Sequence, residues 1–250
     1  MSYFLDTIET IPDGVGFRQF GALHLIWLFL GITLIVGNCI WYRKLEDNGR
    51  RRWRSAVALL IVADELFKVV MLLVGGRYSA EYLPLHLCSI NIFIIAIHAR
   101  KPTQLFSGFL YTICIPGAAA ALLFPSWASL PLGNFMHLHS FTVHIMLIMY
   151  PVVLFTAGEL APSFKQLHKY LFLLITMAAI VYFVNIALET NFMFLMYAEE
   201  GNPLYIFQQM WGNHLYGYPL ILIGVLFVMY LPLIIYEFKK GQSTKRKTAQ

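Results

Sequence analysis

The sequence predicts an all-α membrane protein, a bundle of seven transmembrane helices with its N-terminus outside and its C-terminus in the cytoplasm. Three observations carry that expectation. Of 250 residues, 59% are hydrophobic and only 12% are charged, with a mean hydropathy of +0.66, which lies outside the balance of a soluble domain. Seven stretches have the roughly 17–25 apolar residues that cross a bilayer as helix. With the N-terminus outside, fifteen Lys and Arg fall in inner segments and only Arg18 and Arg77 in outer ones, as the positive-inside rule requires.

Residues 1–19 carry Asp6, Glu9 and Asp13 and no basic run, so they read as an extracytoplasmic N-terminal segment and the first span as retained, not as a signal peptide. The spans of the single transmembrane domain, 20–238, are expected at 20–42, 55–74, 82–99, 103–124, 137–157, 170–188 and 215–238. Arg43, Lys44, Arg50, Arg51, Arg52 and Arg54 form a basic inner connection between the first two. Pro116 and Pro151 lie inside spans, where they kink helices, and Trp27, Trp41, Trp53, Trp127 and Trp211 suit interfacial belts or packing. Residues 191–211 are apolar, but Glu199, Glu200, Gly201 and Pro203 interrupt them, so a loop at the membrane surface is expected. Residues 239–250 read as a basic cytoplasmic tail, disordered from Gly241. Cys39, Cys88 and Cys114 all fall within spans, which argues against a disulfide framework. The net charge of +5 is thereby assigned to contact with membrane lipids, not nucleic acid.

Asp64, Glu65 and Lys68 stand in the second span. Each costs about 2.5–3.5 kcal/mol in hydrocarbon, so they are expected to face protein or water and to pair. Lys68 is four residues from Asp64 and three from Glu65, and both spacings bring side chains together on a helix. Threading the spans puts His24, His86, Cys88, Asn91, His137, His139, His144, Asn185, Glu189 and His214 toward the outer side, and His98 and His168 inside. His137, Ser140, Phe141 and His144 share one helical stripe, while His139 points away from them. His86 and Cys88 diverge by about 200° on a common helix, leaving Cys88 beside Asn91. Each group also has a plain structural reading: an ion pair between helices, interhelical hydrogen bonds, a packed thiol. A metal would need His137 or His144 with His86 and a carboxylate from another span. No metal or cofactor is assigned.

The run Phe20-Gly21-Ala22-Leu23-His24-Leu25, the run Leu83-Pro84-Leu85-His86-Leu87-Cys88-Ser89 and the run Asn191-Phe192-Met193-Phe194-Leu195 resemble, in that order, the bacterial YwaF-type integral membrane family, across nearly the whole chain. That family is in turn similar to the animal transmembrane protein 164 acyltransferase family, implicated in placing polyunsaturated chains on ether phospholipids. The resemblance implies a bacterial plasma-membrane location. It matches Asp64 and Lys68 to an acidic and a basic residue of the second span, His86 to the histidine of an Asn-Pro-Cys-His motif, His144 to a later intramembrane histidine, and Glu189 with Asn191 to an acidic and amide pair. Where the animal motif places its candidate nucleophilic cysteine, this chain has Leu85.

The functional expectation is a lipid acyltransferase or hydrolase working in a polar cavity of the outer half. Its candidate residues are His86, His144, Asp64, Lys68, Cys88, Glu189 and Asn191, with the nucleophile open among Cys88, Ser89, Ser140 and a substrate hydroxyl. Non-catalytic binding or transport of a lipid or small solute, and a metal-dependent intramembrane hydrolase, are the alternatives.

Overall fold

A computed structural model describes residues 3–198 and 202–248, with side chains as far as residue 235. The described residues are helical and contain no strand. The helices are α1 (Ala22–Arg43), α2 (Asp47–Val74), α3 (Leu87–Arg100), α4 (Gln104–Phe109), α5 (Ile115–Leu123), α6 (Phe135–Thr156), α7 (Leu167–Leu188), α8 (Tyr205–Trp211) and α9 (Gly217–Thr248). A π turn, Leu110–Cys114, joins α4 to α5. Among the described residues, five helices are long and apolar enough to cross a membrane by length and composition: Ala22–Arg43, Gln104–Leu123, Phe135–Thr156, Phe164–Leu188 and His214–Ile235. The two other expected spans correspond to α2, which is long but carries Asp64, Glu65 and Lys68, and to α3, whose 14 residues reach only about 21 Å at 1.5 Å per residue.

Three boundaries differ from the sequence expectation for physical reasons. Helix α2 starts at Asp47 and not at 55, because its arginines are good helix formers although they are not apolar. Helix α3 starts at Leu87 and not at 82, because Pro84 lacks an N–H and holds Leu83 out of the helical region. His86 is therefore the extended residue preceding the helix (φ −64°, ψ 150°). The backbone of α9 runs helical through Thr248, into the tail expected to be disordered. Residues 199–201, part of the expected 191–211 loop, lie outside the described residues; the rest of that stretch holds a 3-10 turn and α8.

Residues 1–197 and 198–250 are separate compact units. In the first, α6 is the central helix, packed by α1, α2, α3 and α5. Because α2 runs opposite to α3 and α6, its second half meets their starts and its first half their ends. The prolines shape this core. Pro151 cannot donate to the Leu147 carbonyl one turn back, and Cys114 Sγ donates to it instead (3.4 Å). Pro116 follows the π turn after Ile115, where the wider ring accommodates the missing donor. The N-terminal segment is bound down: Asn134 Nδ2 donates to the Tyr3 and Asp6 carbonyls (2.8 and 2.7 Å) and Phe17 N–H to the Ala128 carbonyl (2.8 Å). Gly16 is required there, since a Cβ would lie 2.1 Å from the Ala128 oxygen.

At the end of the bundle where α2 begins, His98 sits between the Tyr150 and Ser107 hydroxyls (2.9 Å each). Trp53 Nε1 donates to Asn38 (2.9 Å) and stacks on Tyr150, so this indole is packing and not belt. Glu159 accepts from Tyr42 (2.8 Å), Arg50 (3.1 Å) and Arg54. In the second unit, Asn213 caps the turn before α9 by accepting from Leu215 N–H (2.9 Å). Gly217 is needed there because Phe207 occupies the place of a side chain, 2.3 Å from where its Cβ would be.

Candidate thiol–imidazole site

Polar side chains of α2, α3 and α6 meet at the other end of the first unit. On α2, Lys68 Nζ binds Glu65 Oε1 (2.5 Å) and both are buried. Of the two spacings open to Lys68, the three-residue one is used. That leaves Asp64 free for α6, where Thr142 Oγ1 donates to its Oδ2 (2.7 Å). His139, pointing away from His137 and His144 as its position predicts, lies between the two carboxylates: Nδ1 is 3.4 Å from Asp64 Oδ1 and Nε2 3.5 Å from Glu65 Oε2. Neither contact is aligned as a hydrogen bond, so His139 Nδ1 and Glu65 Oε2 remain without a hydrogen-bond partner among the described residues.

One helical turn further along α6, His144 Nδ1 lies 2.6 Å from the Ser140 carbonyl. A carbonyl only accepts, so Nδ1 carries the proton and Nε2 presents a lone pair. That lone pair faces Cys88 Sγ at 3.1 Å. Cys88 is the second residue of α3, whose start has no side-chain cap. The first-turn N–H groups of Leu87, Cys88 and Ser89 are thus without intrahelical partners and turn the positive end of the helix dipole toward the sulfur. Trp127 lies flat against a face of the imidazole, with ring centroids 5.1 Å apart at 17°.

His86 accepts from Met193 N–H through Nδ1 (3.3 Å), which puts its own proton on Nε2. Its ring packs against Phe192 and Phe194 at 5.3 and 5.8 Å. The loop over His86 is pinned by Asn185, whose Oδ1 accepts from Phe192 N–H (2.8 Å) and Thr190 (3.0 Å) and whose Nδ2 donates to the Phe192 carbonyl (3.0 Å). It holds Glu189, Met193 and Phe194 at φ of 55°, 57° and 53°, a left-handed conformation that is strained for such residues.

Of the expected site residues, Cys88 and His144 meet directly, Lys68 pairs with Glu65 and Asp64 with Thr142 at the α2–α6 seam, and His86 lies under the loop at Met193. Glu189 joins none of them: it is an exposed left-handed C-cap of α7. Asn191 accepts from Met196 and Tyr197 N–H groups and donates to the Tyr197 carbonyl (3.0, 3.3 and 3.0 Å), so it orders its own loop. His24 and His137 have both ring nitrogens occupied, His24 by Phe20 N–H and the Leu122 carbonyl, His137 by Trp27 and the Leu130 carbonyl. Sequence reasoning passed over Glu65, His139, Thr142 and Trp127 as site members. A signal existed for two of them, since His139 and Thr142 are three apart and make a polar stripe opposite to that of His144. Trp127 lies in a loop, where no periodicity marks it. Among the described residues no three His, Cys, Asp or Glu side chains gather in a metal-binding group.

The chain belongs to the TMEM164 family, whose model matches residues 19–230. It is a polytopic integral membrane protein. No curated protein and no solved structure matches it.

Proposed function

We propose, from this family membership and the pair it contains, that the protein is a lipid acyltransferase or acyl hydrolase in which Cys88 is the nucleophile and His144 its base. The observation that carries the reading is the 3.1 Å approach of Cys88 Sγ to the unprotonated nitrogen of His144. Acyl transfer needs a nucleophile, a base within reach of its proton and a group that orients the base. The Ser140 carbonyl is that orienting group. The thiol proton passes to His144 Nε2 as the sulfur attacks. The sulfur adds to the ester carbonyl carbon, the leaving alcohol takes the proton back from His144, and the chain remains as a thioester. A second lipid hydroxyl, or water, then attacks the thioester with His144 again as base.

In this reading Leu85 is no loss, because the thiol is supplied three residues later from the start of α3. Lys68, Glu65, Asp64 and His139 hold the α2–α6 seam beside the pair. Glu189 and Asn191 serve the loop and not the reaction. We further propose the seven-span arrangement with the N-terminus outside, which would open the pair toward the outer leaflet of a bacterial plasma membrane, in keeping with the YwaF-type resemblance.

The test is purified protein in lipid nanodiscs given phospholipids with labelled acyl chains. Transfer or hydrolysis is expected, with turnover about 1000-fold lower in Cys88→Ala and His144→Ala. Full turnover in both variants overturns the assignment.

A further inference from the structure

A base and a thiol leave one requirement of acyl transfer unmet: a donor for the carbonyl oxygen, on which negative charge collects as the sulfur adds. Three indoles are packed within the first unit, and they differ in one respect. Trp27 Nε1 donates to His137 (3.0 Å) and Trp53 Nε1 to Asn38 (2.9 Å). Trp127 is 5% exposed, yet its Nε1 has no hydrogen-bond partner among the described residues. Sealing such a donor from water without an acceptor is unfavourable. The one indole that bears this cost is the one stacked on His144.

Its position is fixed independently of the histidine. The Trp127 ring stands edge-on to Phe141 at 5.3 Å and 86°, and its backbone carbonyl accepts from Leu130 N–H (3.0 Å), closing the turn that carries it. Thiol and indole therefore both touch one imidazole, and the indole is held there by contacts of its own.

We propose that Trp127 is a catalytic residue, whose Nε1–H donates to the acyl carbonyl oxygen of a long-chain ester held against Cys88. The proposal rests on the thiol reading above and adds to it the donor that the pair lacks. When Sγ bonds to the carbonyl carbon, the thiol proton goes to His144 Nε2 and the π pair of the C=O moves onto oxygen. That oxyanion accepts from the indole N–H. As the C=O reforms, the bond to the leaving alkoxide breaks and the alkoxide takes the proton from His144. The face of the same indole meets the imidazolium formed in between, a cation–π contact. Trp127 thus touches both charges that the step creates.

The experiment separates the N–H from the ring. Trp127 is replaced by 3-benzothienylalanine, which keeps the bicyclic face and has sulfur in place of N–H, and in a second variant by Phe. Both are compared with the unmodified protein in nanodiscs using hexadecanal, which adds reversibly to a thiol and leaves a tetrahedral carbon bearing oxygen. Iodoacetamide, whose reaction with Cys88 builds no such oxygen, is the control. Hexadecanal is expected to bind about 10- to 100-fold more weakly to both variants, while alkylation by iodoacetamide is kept in the benzothienylalanine variant, whose face still meets the imidazolium, and slows in the Phe variant. Equal hexadecanal affinity in all three proteins, with alkylation kept in the benzothienylalanine variant, overturns the role of Trp127 and leaves the Cys88–His144 pair standing. A Cys88 that in the unmodified protein neither binds hexadecanal nor alkylates faster than in His144→Ala overturns the thiol reading and the donor with it.

Discussion

His98 and His144 are both buried in one bundle, a few helical turns apart, and are built to opposite ends. Each nitrogen of His98 meets a hydroxyl, Tyr150 on one side and Ser107 on the other. Hydroxyls donate or accept as needed, so the ring is satisfied in either tautomer and ties α3, α4 and α6 together. His144 has one nitrogen committed to the Ser140 carbonyl, which settles its tautomer, and the other turned to a thiol. Under the proposed function, the difference separates a structural histidine from a reactive one. Burial and polarity are shared; what separates them is whether the second nitrogen meets a partner that holds it or one that it can deprotonate. His24 and His137 fall on the His98 side of this division.

The largest effect on stability is expected at the reactive end, where charge is buried. Lys68 and Glu65 have side chains 10% and 7% exposed, and removing one partner of such a pair costs about 3–5 kcal/mol because the other is stranded. Lys68→Met is expected to lower unfolding stability by that amount, and Glu65→Gln in the same chain to recover most of it. Denaturant unfolding in detergent measures both. An unchanged midpoint in Lys68→Met would mean that the pair is solvated and the seam is not closed.

At the other end, His98→Ala would strand the Tyr150 and Ser107 hydroxyls in an apolar core and is expected to cost about 2–4 kcal/mol, with each hydroxyl, free to rotate, in the lower part of the range of about 1–3 kcal/mol for a stranded buried group. Turnover per folded molecule should stay within about twofold of the unmodified protein, against the roughly 1000-fold loss for His144→Ala. A large loss of turnover in His98→Ala at unchanged stability would erase the contrast between the two histidines.

How much of this was legible beforehand depended on whether the information lay within one helix or between two. Spacing along α2 showed that Lys68 could meet a carboxylate, and spacing along α6 showed that His139 faces away from His144; both hold. Which carboxylate Lys68 takes was decided by Thr142 and His139 across the seam, and no pattern within α2 encodes that. The meeting of Cys88 with His144 likewise depends on the register of α3 against α6. Apolarity also misled at the ends of helices: α2 extends over Arg50, Arg51, Arg52 and Arg54 because helix propensity and hydropathy are different properties, and Pro84 cut the start from α3. Asn185 and Glu189 are four residues apart, a spacing that shares a helical face, but the left-handed turn at Glu189 breaks the periodicity on which such a stripe depends.

The smallest effect is expected where the N-terminal segment is tied over the reactive end. Tyr82 hydroxyl donates to Glu9 Oε2 (2.8 Å). Burial alone would raise the Glu9 carboxyl, but hydrogen bonds from Thr7, its own backbone and Tyr82 outweigh it and leave the group below its usual value of 4.5, while burial and the Glu9 bond raise Tyr82. A carboxyl lowered by folding stabilises the folded state fully above its unfolded value and loses that contribution as pH falls through the folded one. The tie should therefore hold at neutral pH and loosen below about pH 4.5, with faster hydrogen exchange at Phe17 and Phe135, whose N–H groups bond to the Ala128 and Phe4 carbonyls. Tyr82→Phe should show faster exchange already at neutral pH and a weaker acid response, while the hydrogen bonds of His98 remain as they are. Exchange at Phe17 that is indifferent to pH in both proteins would mean that the Asn134 and Ala128 contacts hold the segment by themselves.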